Sequence, residues 1–158
     1  MNIVKEVFED ACTTAGIHFE FGSPKEIQEN MSKLGLINKT KLPALLLFNN
    51  WEEDIDKTKM SVSDLSITIA ASGKLSESSE QSEARFDNLL DILDDILKAL
   101  AADNRIYGTS FKRFPHSQIR RYYSNMGGSP AVAWLVKFTE NNNFNNICKN
   151  ERFEYTKL

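Results

Sequence analysis

Cysteine and histidine are the scarce residues in this chain, and their scarcity closes off several kinds of protein. The 158 residues include two cysteines, Cys12 and Cys148, at opposite ends, and two histidines, His18 and His116. No CxxC pair occurs, and two distant thiols cannot make the disulfide framework of a small secreted domain. Cys12 and Cys148 therefore read as free thiols buried as small hydrophobes. Without clustered cysteines, no structural zinc site is expected. Long apolar runs are also missing: nothing reaches the ~20 residues that span a bilayer. The opening stretch carries Lys5 and Glu6 and no long apolar segment. Neither a signal peptide nor membrane association is expected, and a reducing cytoplasm is the expected setting. Asn38-Lys39-Thr40 fits a glycosylation sequon, which carries no weight without a secretion signal.

Catalytic motifs are missing as well. Gly127-Gly128 is followed by Ser129-Pro130, without the lysine or helix start of a phosphate loop. His116 stands alone between Pro115 and Ser117, and Cys12 with His18 does not make a nucleophile–base pair. The cluster Glu52, Glu53, Asp54 and Asp56, with Lys57 and Lys59, has the composition of a metal-dependent nuclease site. Such sites commonly place an acid two positions before the lysine. Here Ile55 precedes Lys57, and Lys57 precedes Lys59, so the spacing fails and a solvated loop is the better reading. No catalytic residue, cofactor or metal ligand is expected, and the chain reads as a non-enzyme.

What is present is globular. Hydrophobic residues make up 41% and charged residues 26%, with a net charge of −3. That mild acidity argues against wholesale electrostatic binding of nucleic acid. Ile3, Val4, Val7, Phe8 and Ala11 recur at helical spacing and predict a helix over 2–15, stopped by Gly16. Ile17, Phe19 and Phe21 alternate as a half-buried strand. Ser23, Pro24 and Glu26 mark the start of a short helix running to about Leu34. The run Leu42–Phe48 suits a strand covered on both faces, and Leu65–Ala71 a second strand, with a long hairpin loop over about 52–63. Residues 74–82 read as a solvated connector. The long helix over 84–102 carries an apolar stripe of Phe86, Leu89, Leu90, Leu93, Ile96, Leu97 and Leu100. Two more strands are expected at about 105–114 and 131–139, separated by a loop.

These elements predict an α+β fold: a mostly antiparallel sheet of about four to five strands, with the long amphipathic helix and the N-terminal helix packed on it. Residues 1–140 are expected to form one domain. Residues 141–158 are expected to form a C-terminal tail that docks through Phe144, Ile147, Phe153 and Tyr155 on its own core or on a neighbouring subunit.

Charge is unevenly divided. Segment 77–104 holds eight acidic residues against two basic ones, and Asp87, Asp91, Asp94 and Asp95 share one face of the long helix. Segment 105–139 contains Arg105, Lys112, Arg113, Arg120, Arg121 and Lys137 and no acidic residue. Tyr107, Phe111, Phe114, Tyr122 and Tyr123 are interleaved with them. Arg and Tyr are the residues that anchor protein interfaces. The same composition grips single-stranded nucleic acid, so a small nucleic-acid-binding accessory protein using 105–137 is the alternative. The candidate interface residues are Arg113, Arg120, Arg121, Tyr122 and Tyr123 on the basic side, with Asp87, Asp91, Asp94 and Asp95 on the acidic side. Those four aspartates read first as a solvated helix face, then as an interface, and last as a cation site.

The order of segments carries a resemblance. An N-terminal helix leads to an aromatic strand closed by Phe21-Gly22-Ser23-Pro24-Lys25-Glu26-Ile27. The runs Leu42–Phe48 and Leu65–Ala71 follow, then the connector 76–82 and the helix opened by Ala84-Arg85-Phe86-Asp87-Asn88-Leu89-Leu90. Over residues 3–139 this resembles small virion proteins of tailed phages and prophages of Bacteroidetes, and the wider class of tail-terminator, tail-completion and head–tail connector (neck) proteins. The resemblance implies a non-enzymatic structural subunit, made in the bacterial host cytoplasm and carried in the virion. It implies a ring, commonly six- or twelve-fold, touching other virion proteins such as the portal, the connector or the tail tube. The loops at 52–63 and 108–130 are the expected contact segments.

Overall fold

The computed structural model describes residues 2–32, 42–55, 59–72, 78–107, 117–126, 129–139 and 141–145. Helix α1 (Ile3–Ala15) opens where the Asn2 side chain accepts a hydrogen bond from the Lys5 backbone N–H at 3.2 Å. It closes at Gly16, whose φ of 74° lets its N–H turn back to the carbonyls of Cys12 and Thr13. Ile3, Val4, Val7, Phe8, Ala11 and Cys12 form its buried face. Cys12 is therefore a packed thiol. Burial, with Glu9 nearby, pushes its pKa up to about 12, so it stays protonated at neutral pH.

Strand β1 (His18–Gly22) leads into helix α2 (Pro24–Ser32), capped as expected by the Ser23 hydroxyl, which accepts from the Glu26 N–H at 3.2 Å. Gly22 has φ 151°, a backbone conformation that residues with a side chain rarely adopt, so the tight entry to α2 favours glycine. The C-terminal part of the expected helix lies outside the described residues. Strand β2 (Ala44–Phe48) then pairs parallel to β1, with Phe19 opposite Leu45 and Phe21 opposite Leu47. A helical crossover is what makes that parallel pairing possible.

Strands β3 (Glu52–Ile55) and β4 (Lys59–Ser63) occupy the segment that the charge pattern assigned to a loop. The correction has a physical cause. Met60 and Val62 alternate with Lys59, Ser61 and Ser63, and both apolar residues are buried. Strand β5 (Ser66–Ser72) follows as expected. Helix α3 (Ser79–Ala102) starts five residues earlier than the expected helix over 84–102, inside the expected connector. There Ser78 and Gln81 form a capping box, the Gln81 N–H bonding to the Ser78 hydroxyl and the Gln81 side chain accepting from the Ser78 N–H.

Beyond α3 the expected strand over 105–114 is described only as the short β6 (Ile106–Tyr107). Strand β7 (Ser117–Met126) runs through what was expected to be loop, and β8 (Ser129–Phe138) pairs with it along its whole length, from Ser117 opposite Phe138 to Met126 opposite Ser129. Strand β9 (Asn142–Asn145) lies in the expected tail.

The main sheet has the order β1-β2-β5-β8-β7, antiparallel except for β1 with β2. The α+β class and the five-strand, mostly antiparallel sheet match the sequence expectation. A second sheet, β3-β4-β9-β6, is wholly antiparallel and was not foreseen. Pleating divides the main sheet's residues between two packings. Leu45, Leu47, Ile67, Ile69, Val132 and Val136 join the side chains of α1 and α3 in the large core. Ala44 and Leu46 turn the other way, onto Ile27 of α2. This is the doubly covered strand that the run 42–48 implied.

The C-terminal strand belongs to the domain. β9 lies between β4 and β6, and Phe144 is completely buried in the same core as α1 and α3. For Phe144 the expected choice between its own core and a neighbour falls on its own core; residues 146–158 lie outside the described residues. Phe144→Ala is expected to cost about 3–5 kcal/mol, the usual loss for emptying a buried phenylalanine site. Urea unfolding of the two proteins measures this, and a loss under about 1 kcal/mol would mean that β9 is peripheral to the fold.

Candidate functional site

Among the described residues, no three His, Cys, Asp or Glu side chains gather closely enough to hold a metal ion. The chemistry on offer is charge and exposed backbone, distributed over three places.

The first is the outer face of α3. Phe86, Leu89, Leu93, Ile96, Leu97 and Leu100 are buried against the sheet, and the helical period then turns Asp87, Asp91 and Asp95 outward, where they are exposed. Asp94 is half-buried. Its carboxylate lies 2.9 Å from the Lys98 ammonium, one turn on, and that bond raises the Lys98 pKa. A row of carboxylates repels itself, and Lys98 relieves it at one end.

The second place is the end of α3, where the structure reassigns a residue. Arg105 belongs to the basic segment by sequence, yet it is engaged within the fold. Its Nε and one terminal nitrogen donate to both oxygens of Asp103 at 2.9 and 2.6 Å, and that terminal nitrogen also donates to Asp10 of α1 at 2.8 Å. The Asp103 carboxylate also accepts from the Arg105 backbone N–H. Asp103 is the C-cap of α3, at the negative end of the helix dipole, where a carboxylate alone is unfavourable. The bidentate guanidinium neutralises it and ties the end of α3 to α1. Side-chain hydrogen bonding to Arg105 holds the Asp103 pKa below the ordinary carboxylate range, and the same bonds raise that of Arg105.

The third place is formed by the sheet edges. Strand β7 carries Arg120, Arg121, Tyr122 and Tyr123 at consecutive positions, in register with Leu135, Trp134, Ala133 and Val132 of β8. It ends the main sheet, so the structure brings these four candidates together on an edge strand. Their side chains, and the whole of Arg113, lie outside the described residues. Lys137 of β8 is exposed. Strand β3 ends the second sheet, and Glu52, Glu53, Asp54 and Ile55 are all exposed on it. Trp51 holds the base of this hairpin: its indole N–H donates to Glu53 at 2.7 Å, and its ring packs on Phe21 with centroids 5.9 Å apart. Sequence reasoning noticed these acids for their metal chemistry and missed that they line a strand edge. The alternation of Met60 and Val62 was the available signal. No helix among the described residues is long and apolar enough to cross a membrane.

No protein-family model matches the chain, and no curated protein matches it.

The Arg105 pair makes a pH prediction. A carboxyl whose folded pKa is depressed contributes stability that is fully present above its ordinary value of about 3.9 and is lost as pH falls through the folded value. Arg105→Ala is therefore expected to cost about 1–2 kcal/mol at pH 7, in line with hydrogen bonds to charged groups at a partly exposed site. The gap between the two proteins should close as pH falls below about 4. Melting temperatures from pH 7 down to pH 2.5 check this, and a gap that stays constant would mean that Arg105 contributes through packing alone.

Proposed function

We propose that this chain is a structural subunit of a tailed-phage virion, of the tail-terminator or head–tail connector kind, acting through protein–protein contacts in a ring. The observation that carries the reading is the separation of charge onto different elements. Exposed carboxylates lie on the outer face of α3 and on β3, while Arg120 and Arg121 lie on β7, at the edge of the main sheet. A head-to-tail contact between identical subunits needs two different, complementary patches on one molecule, and charge divided between elements in this way supports such a contact. Arg and Tyr side by side on an edge strand are the composition of an interface anchor. The segment order described above, from the N-terminal helix to the long amphipathic helix, is the second support. Portal, connector or tail-tube proteins are the other neighbours such a ring would touch.

The nucleic-acid alternative draws on the same segment, and one of its six basic residues, Arg105, is committed to Asp103 and Asp10. The interface reading does not need that residue.

Light scattering behind a sizing column, across concentration and salt, tests the proposal. A closed oligomer of discrete mass, commonly six or twelve copies, is the expected result, and Arg120→Glu with Arg121→Glu should weaken it at least tenfold in concentration, about 1.4 kcal/mol per subunit contact. A strict monomer that binds labelled DNA, with affinity falling steeply as salt rises, would move the function to the nucleic-acid alternative.

A further inference from the structure

We infer that neighbouring copies join edge to edge, strand β3 of one pairing with strand β7 of the next; this rests on the ring reading and names its contact. The two sheets have four edges among the described residues: β1 and β7 on the main sheet, β3 and β6 on the second. Strand β6 has two residues, too few to template a partner. No residue of β1 is fully exposed, and α1 and α2 both pack against it, whereas α2 reaches β7 less extensively and α1 does not pack along it. That leaves β3 and β7, each with one strand partner, β4 and β8. An edge strand presents a row of backbone N–H and C=O groups ready to pair with another chain. All four residues of β3 are exposed, and Ile55, 56% exposed, is the large hydrophobic residue that stands out on the described surface.

Charge selects which edges meet. Glu52, Glu53 and Asp54 are three consecutive carboxylates, so two β3 edges would set like charges directly opposite one another. Two β7 edges would do the same with Arg120 and Arg121. A β3 edge against a β7 edge is complementary. Consecutive strand residues occupy alternate faces, so Arg120 and Arg121 take opposite pleat positions. Three acids in a row offer a carboxylate on each of those faces, with one ion pair on either side of the joint. Homotypic pairing is disfavoured and heterotypic pairing favoured, the selectivity that yields a head-to-tail ring instead of a two-fold dimer. The hairpin is also held ready, since Trp51 fixes its base to Phe21 of β1 and to Glu53. In this arrangement the α3 carboxylates remain available to a different neighbour.

The test is a charge swap on the full chain, read by light scattering across concentration. Glu52→Lys with Asp54→Lys leaves the Trp51–Glu53 hydrogen bond in place, and Arg120→Glu with Arg121→Glu alters the other edge. Each double variant is expected to raise the concentration for half-assembly at least tenfold. Glu52 and Asp54 share one face and Glu53 takes the other, so the β3 changes joined to the one arginine change on their face, Arg120→Glu or Arg121→Glu tried in turn, should restore assembly, either in one chain or as two variants mixed in equal amounts. Thermal unfolding confirms that each variant is folded, and the rescue itself excludes a folding defect. Undiminished assembly of the β3 variant, or failure of both rescues, overturns edge pairing and leaves the ring reading standing. Loss of assembly in Asp87→Lys with Asp91→Lys, with the β3 variant unaffected, relocates the joint to α3. A wild-type chain that is monomeric throughout overturns both readings.

Discussion

The constraint on which the rest of the structure depends is the apolar stripe of α3. Phe86, Leu89, Leu93, Ile96, Leu97 and Leu100 have to leave water, at about 1.5–3 kcal/mol for each large side chain fully buried. The surface that receives them is the face of the main sheet built from β2, β5 and β8, with α1 alongside. Three polar contacts then hold the helix in that seat. Arg85 donates to the Ser72 carbonyl near the helix start, the Trp134 indole N–H donates to the Phe86 carbonyl at 2.9 Å, and Arg105 bridges the helix end to α1. Phe86 and Trp134 also meet edge to face, with ring centroids 5.5 Å apart, joining α3 to β8.

Seating α3 decides which surfaces are left for partners. One face of the main sheet is occupied by α1 and α3, and α2 packs on Ala44 and Leu46 of the other. Among the described residues, the outer side of α3 and the strand β3 are left exposed, and both carry carboxylates. The same packing explains the fate of Arg105. By sequence it opens a basic segment, but it follows the C-cap of α3 by two residues and lies where the helix end approaches Asp10. A guanidinium there is best used against Asp103 and Asp10, and among the described side chains of the segment the exposed cation is Lys137.

Much of the fold is legible in the chain because it is local. The helical period of α1 and α3, the Ser23-Pro24 start of α2, the strands β2 and β5 and the buried state of Cys12 all follow from neighbours in sequence. The errors lie where local signals compete. At 78–81 the capping box was outweighed by a polar composition. At 127–128 a Gly-Gly step between alternating runs is itself a hairpin signal, outweighed by the Ser-Pro that follows. The acids of 52–56 read as a loop because charge density hides the two buried positions, Met60 and Val62, on the return strand.

The candidate site shows the same division. That Asp87, Asp91 and Asp95 share an exposed helix face was fixed by the 3.6-residue period alone, since the stripe beside them must be buried. That Arg120 and Arg121 lie on a sheet edge, and that Glu52–Ile55 form another, was decided only by tertiary structure. Strand order is a property of pairings between distant segments: β4 with β9, and β5 with β8. Each strand sees its partner only after the intervening chain has folded, and no local periodicity records which partner that is. Composition supplied the charges, and the order of the strands decided that they sit at edges.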